Sequence, residues 1–244
     1  MLNTTDNRRG EAGFTLIELA VVMIIIGLLI GGILKGQELI ANAQIKATIA
    51  QIKSMETAIS TFRDKYNALP GDMTNPTARL PNCNAAPCNV VGDGNGRIND
   101  AGLGVVPANT DEEAVAFSHL SAAGLIAGVQ STSGVIGFGQ LLPEAKIGGG
   151  FWLGHTSTGA ASGGLAAGSL PSGHYLVMNG AVSNVGTATG ALRPAQAAQI
   201  DRSIDDGSAN GGSVRVVGTD CSTGATYNEA NESAACALYI RILN

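Results

Sequence analysis

Between Phe14 and Leu34 the chain reads FTLIELAVVMIIIGLLIGGIL, an apolar run broken by a single carboxylate, Glu18. As a helix, a run of this length crosses the roughly 30 Å hydrocarbon core of a bilayer. A helix that is apolar all round belongs in lipid or in the interior of an assembly. A short polar segment precedes it, MLNTTDNRRGEAG, whose Arg8 and Arg9 are expected to stay on the cytoplasmic side and send the rest of the chain across. Glu18 conflicts with its surroundings, because a charge in hydrocarbon is costly and is normally paired or in use. No basic residue follows it within one or two helical turns, so its partner is expected to come from elsewhere.

Two ordinary readings of the run are a plain transmembrane anchor and a cleaved secretory signal with Ala41-Asn42-Ala43 as the small-residue site. The second is disfavoured because the run exceeds a normal signal core and helical periodicity passes straight through the supposed cut. The hexapeptide Gly13-Phe14-Thr15-Leu16-Ile17-Glu18 resembles the processing site of type IV pilins and type II secretion pseudopilins. That resemblance rests on the glycine, the phenylalanine, the acid four residues after it, and the apolar run in the same register. It implies that a prepilin peptidase cuts between Gly13 and Phe14 and N-methylates Phe14. It also implies that Glu18 pairs with the Phe14 amine of a neighbouring subunit during assembly. Many major pilins carry a proline in the second half of the run. This chain has Gly27, Gly31, Gly32 and then Lys35, and the glycines are expected to loosen the helix there.

Beyond Lys35 the apolar residues become periodic. Ile45, Ile49, Ile52, Met55, Ile59, Phe62 and Tyr66 form one stripe on a helix. The other faces carry Lys46, Lys53, Glu56, Ser60, Arg63 and Asp64, and Pro70-Gly71 marks the end. The first half of this long helix is therefore expected in lipid or a filament core and the second half on a domain, a short coiled coil being the alternative. Residues 70–110 read as a loop rich in Pro, Asn and Gly. Asp111–Leu125 reads as a short helix with a stripe of Ala114, Val115, Phe117, Leu120 and Leu125, and Pro194–Ile204 as a second. Strands are predicted at Lys146–Leu153, His174–Met178, Ser213–Val217 and Ala237–Leu243, the last alternating Leu238, Ile240 and Ile242 against Tyr239, Arg241 and Leu243. Strands in succession without crossover helices give an antiparallel sheet. The fold class expected is α+β, a long N-terminal helix packed on that sheet as in pilins. The division expected is a leader at 1–13, a transmembrane or filament-core helix at 14–34, an amphipathic continuation at 35–68 and a globular domain at 69–244.

Four cysteines, Cys83, Cys88, Cys221 and Cys236, lack C-x-x-C spacing and have no histidine within a few residues, which disfavours zinc. In an exported domain they read as disulfides, and pairing Cys83 with Cys88 and Cys221 with Cys236 is one of three connectivities. Gly92–Asp100 (GDGNGRIND) partly matches a calcium loop, with Asp93, Asn95, Asn99 and Asp100 as candidate ligands and Glu112 or Glu113 as distant carboxylates that could join them. Val91 and Gly102 fall where the pattern needs side-chain oxygens, so an Asx- and Gly-rich turn is the competing reading. Asp201, Asp205 and Asp206 form a second acidic group at a helix end.

His119, His155 and His174 lie far apart in sequence, and the chain lacks the G-x-S-x-G, H-E-x-x-H and phosphate-loop motifs. Neither catalysis nor a cofactor other than calcium is expected. Trp152 is assigned to the core. A net charge of -5 argues against nucleic acid as a partner. The function expected is a structural subunit of a type IV pilus-like filament. Its partners would be identical or homologous subunits, the prepilin peptidase, the inner membrane and an assembly platform. Before assembly it would be a single-pass inner-membrane protein with its C-terminal domain outside the cytoplasm, and afterwards part of a surface pilus or periplasmic filament. The alternatives are a type II secretion pseudopilin and a membrane-tethered binding module that never polymerises.

Overall fold

A computed structural model describes residues 13–99, 101–130, 132–159, 169–186, 189–233 and 235–243. Helix α1 spans Leu16–Tyr66 and runs through Gly27, Gly31, Gly32 and Gly36 without a break in its hydrogen-bonded pattern. The loosening expected at those glycines does not interrupt it. The chain divides between Ala43 and Gln44 into two compact units.

In the first unit the helix has no apolar face turned inward. Large apolar side chains from Phe14 to Ile40 stand exposed. In the second unit the predicted stripe is buried: Ile45, Ile52, Met55, Ile59, Phe62 and Tyr66 join the core, with Ile49 at its margin and Thr48 and Ala58 alongside. The change from uniform to one-sided burial follows the change in the sequence from a continuous apolar run to 3.6-residue periodicity.

Helix α2 is the single turn Pro76–Arg79. Helix α3, Glu112–Ala122, begins after Asp111, whose Oδ2 accepts the Ala108 amide at 2.7 Å rather than capping the helix. It ends on Gly124, whose φ of +71° lets the Leu125 amide reach Leu120 O and its own amide reach Ser121 O, both at 3.0 Å. Those two bonds are a Schellman stop. The helix is buried on every side from Glu112 to Leu120, where only a stripe was expected. Helix α4, Pro194–Ile204, occupies the predicted range.

Strands β1 (Gly150–Thr156), β2 (Gly173–Asn179), β3 (Val214–Val217) and β6 (Ala237–Leu243) form one antiparallel sheet in the order β1-β2-β6-β3. A short hairpin, β4 (Ser222–Thr223) and β5 (Thr226–Tyr227), stands apart from it. The architecture is thus α+β, a long N-terminal helix with a four-stranded antiparallel sheet.

The first strand starts later than the predicted Lys146. Gly148 and Gly149 take φ of +110° and +70° in a turn closed by the Gly148 amide on Ala145 O, and strand geometry begins at Gly150. The sheet is also buried on both faces. Tyr239 and Ala237 are as inaccessible as Leu238, so β6 does not divide into an inner and an outer side. Loops cover the second face: a side chain at Gly154 would meet Leu103, Phe138 stacks on Trp152 with ring centroids 6.3 Å apart, and Tyr175 donates its hydroxyl to Pro171 O.

Two local disulfides, Cys83–Cys88 and Cys221–Cys236, tie these loops down. The second closes a separation of 15 residues, for which chain entropy suggests about 3 kcal/mol. Cys236 also exchanges two backbone hydrogen bonds with Leu192, just ahead of α4.

His119, on α3, is a structural pin that its isolation in sequence conceals. Its Nδ1 accepts the Gly71 amide at 2.9 Å, which leaves Nε2 to donate to Cys88 O at 2.8 Å. Its ring stacks on Phe62, with centroids 6.3 Å apart and planes 7° apart. One imidazole thus links α1, the turn after it, α3 and the first disulfide loop. Burial holds it neutral, lowering its pKa from 6.5 to about 4.

Phe62→Ala should cost about 3–5 kcal/mol in denaturant unfolding of the full-length protein in detergent micelles, whereas Glu56→Ala on the exposed face should stay within about 0.5 kcal/mol. The neutral His119 contributes stability that is complete above pH 6.5 and is lost as pH falls through about 4. Between those limits the wild type should lose about 1.4 kcal/mol per pH unit more than His119→Gln, measured as a difference in unfolding free energies.

Candidate functional site

Gly13, Phe14 and Thr15 precede α1 in non-helical conformation, and Phe14 is 84% exposed. The helix then starts with a motif not read in the sequence. Thr15 is the N-cap: its Oγ1 accepts the Glu18 amide at 3.3 Å, while Glu18 Oε2 accepts the Thr15 amide and hydroxyl, both at 2.8 Å. This is a reciprocal capping box, and its signal was the Thr-x-x-Glu spacing at the head of an apolar run.

It gives Glu18 a neutral partner in its own chain, Thr15, and leaves the charged partner expected from elsewhere unsupplied. The carboxylate sits in the first helical turn, where the aligned peptide dipoles favour negative charge, and it satisfies an amide that has no partner within the helix. No cation faces it among the described residues. One oxygen, Oε2, carries all of its hydrogen bonds there, and Oε1 is left for another group. The arrangement therefore fixes the direction of the carboxylate beside Phe14 without neutralising it. Along the rest of the run, α1 is long and apolar enough to cross a membrane, and its apolar stretch is not buried by the chain itself.

The candidate calcium loop closes around carboxylates that lie outside it. Asp72 Oδ1 and Oδ2 accept the Asn95 and Gly96 amides, each at 2.9 Å. Glu112 Oε1 and Oε2 accept the Asp93 and Asn99 amides at 3.1 and 3.3 Å, and Glu113 Oε1 accepts those of Ala101 and Gly102. Asp93 holds Asn95 through its amide and side chain, and Asn95 in turn reaches Asn99. Asp100 lies outside the described residues.

Asp72, Asp93 and Glu112 each bring a carboxylate oxygen within 4.8 Å of the others, a donor set of the kind a hard cation takes. The distant acid Glu112 does join Asp93, while Asp72 was not picked out in the sequence. Both oxygens of Asp72 and of Glu112 accept backbone amides of the loop, so these outside carboxylates hold its turn.

Asp201, Asp205 and Asp206 also converge within 4.8 Å. Each is engaged: Asp201 Oδ2 accepts the Tyr227 hydroxyl at 2.8 Å, Asp205 Oδ2 the Ser213 and Val214 amides, and Asp206 Oδ1 the Ser208 amide at 2.8 Å. Burial pushes the Asp201 carboxyl above its usual range, and the Tyr227 hydroxyl opposes the shift.

The histidines, remote in sequence, are only partly so in space. His155 and His174 are direct cross-strand partners on β1 and β2, their ring centroids 4.7 Å apart. His119 comes within 4.8 Å of Cys83 and Cys88, whose sulfurs are joined to each other. Trp152 is fully buried.

No curated protein and no solved structure matches the chain. A family model described as the prokaryotic N-terminal methylation motif matches residues 8–34, which include the capped helix start and the apolar run. Over those residues the chain bears the signature of type IV pilins and pseudopilins.

Proposed function

We propose that the chain is a structural subunit of a type IV pilus-like filament. Held in the inner membrane by residues 14–34, the precursor is cut between Gly13 and Phe14 by a prepilin peptidase, which also N-methylates Phe14. The new amine then pairs with Glu18 of an adjoining copy. The apolar helices bundle, and the disulfide-bonded α+β domain faces outward.

The observation that carries this reading is the placement of Glu18. It stands at the head of an apolar helix with no covering, its Oε2 tied to Thr15 and no cation beside it among the described residues. A free N-terminal amine on a second copy supplies the missing charge at that position, and a charge-assisted contact in a dry interior is stronger than its neutral counterpart. The apolar surface from Phe14 to Ile40 supports the same reading, because bundling with like helices removes it from water or lipid.

Two variants separate capping from charge pairing. Glu18→Gln keeps an oxygen for the Thr15 amide but carries no charge, and Glu18→Ala removes both. Both should insert into the membrane normally and yield at least about tenfold less polymer in a sheared-filament assay, the loss expected from about 1.4 kcal/mol per subunit contact. Full filament yield from Glu18→Gln would show that capping suffices and remove the amine contact. Recovery of the polymer in a periplasmic rather than a sheared surface fraction would assign the chain to pseudopilins.

Mass spectrometry of the mature protein should find N-methylated Phe14 as its first residue. A mature chain still carrying residues 1–13 has no amine beside Glu18 and would overturn the proposal.

A further inference from the structure

A cavity of about 420 Å³ opens where the C-terminal end of α1 meets the ends of the central strands β2 and β6, lined among others by Arg63, Asn67, Asp72, Thr74, Arg79 and His174. Its volume is in the range of small-ligand sites, and its lining offers more donors than it uses. Arg79 gives Nη2 to Tyr66 O. The one acid, Asp72, has both oxygens taken by the Asn95 and Gly96 amides. The side chains of Arg63 and the nearby Arg97 make neither ion pair nor hydrogen bond among the described residues.

Exposed arginines need no partner, and alone these two would carry nothing. His174 differs. It is 6% exposed, and both ring nitrogens are sealed from solvent and unbonded. A buried imidazole in a finished structure normally makes at least one hydrogen bond. Burial above all, and then its cross-strand neighbour His155 and the charges of Arg63 and Arg97, hold it neutral, with a pKa of about 4.

A metal cation does not suit this place, because two guanidinium charges already act on the histidine. An anion does: it would pair with Arg63 and offset the positive charges that act on the buried His174 ring. We propose that this cavity binds a small organic anion, with its oxyanion group held by Arg63 beside the buried His174 ring and the remainder of the ligand contacting Asn67 and Thr74. The oxyanion is a carboxylate or a phosphate on a body of about monosaccharide size, as the volume allows. Besides burial, the groups that act on His174 are His155 on β1, Arg63 on α1 and Arg97 in the loop that follows α2, while Asp72 and Arg79, the last residue of α2, line the same cavity. An anion arriving among them raises its proton affinity, so binding takes up a proton where the pH lies between the free and bound midpoints.

The test is histidine-ring NMR on the full-length protein in detergent micelles. Glucuronate, glucose 6-phosphate and uncharged glucose are titrated in at constant ionic strength set with sodium chloride. One of the two anions, or both, should shift the His174 resonances saturably and raise its titration midpoint from about 4 by about one unit or more. Which anion does so tells carboxylate from phosphate. Glucose and chloride should do neither. The double variant Arg63→Gln, Arg97→Gln should lose the response, while Lys146→Gln should keep it. The absence of any saturable shift with both anions at about 20 mM, or an undiminished shift in the arginine double variant, overturns the assignment. The readout is independent of whether the chain polymerises.

Discussion

The feature on which everything else in this protein depends is a helix whose first half buries against nothing among the described residues. Each large side chain between Phe14 and Ile40 gains roughly 1.5–3 kcal/mol on leaving water. Over the segment that sum is on the order of tens of kcal/mol, larger than the net stability of a typical domain. The segment is therefore suited to lipid or to the interior of an assembly. Within so apolar a run a carboxylate is tolerable only where the backbone helps it. The first turn of the helix is that place, because amides there lack intrahelical partners and the dipole is favourable. Glu18 occupies that turn, and Thr15 is the residue that makes the position local, specific and directional.

The second unit solves a different problem. Its sheet of four strands is short, yet fully buried residues lie on both faces. α1 supplies one apolar layer, and loops must supply much of the other. Glycine-rich segments have little side-chain surface with which to pin themselves, so their order comes from elsewhere. It comes from two short-range disulfides, from buried carboxylates that gather loop amides, and from His119, which bonds two separate loops at once. The acids Asp72, Glu112 and Glu113 do for the 92–102 loop what a small hydrophobic core does elsewhere: they give backbone groups a reason to adopt one arrangement. Such interactions depend on charge and on tautomer, and that makes this half of the molecule sensitive to acid where the apolar helix is not.

What could be read from residues alone follows from the range over which each signal acts. Helix α1 and helix α4 were legible because periodicity, a proline at the first turn and a closing glycine are local. The end of α3 was legible for the same reason, since Gly124 alone can take the conformation its stop requires. β1 was placed four residues early at Lys146 because an apolar residue near a turn, Ile147, looks like a strand start when the backbone angles of Gly148 and Gly149 are unknown. The second buried face of the sheet was illegible, since what covers Tyr239 and Trp152 comes from loops tens of residues away. The polar constellations failed in the same manner. Asp93 and Asn95 announce a turn, but Asp72 and Glu112 reach it only through the fold, and His155 meets His174 only through strand register.

The N-terminal site is the exception, because its parts are contiguous. Phe14 and Thr15 immediately precede α1 and Glu18 stands in its first turn, so nearness in sequence is nearness in space. Even there one inference from the residues was incomplete. A search for a charged partner overlooks a neutral one, and the threonine three residues upstream was read as part of a processing motif rather than as a hydrogen-bonding group. The two readings are compatible. A carboxylate that is bonded through one oxygen to its own helix start is held in a fixed orientation before a second copy arrives. The entropy of ordering that side chain is then lost on folding and not again on association. The same bond keeps the acid from being wholly unsatisfied while the subunit waits alone. A capped acid is thus better suited than a free one to two successive environments, first a bilayer and then the interior of an assembly.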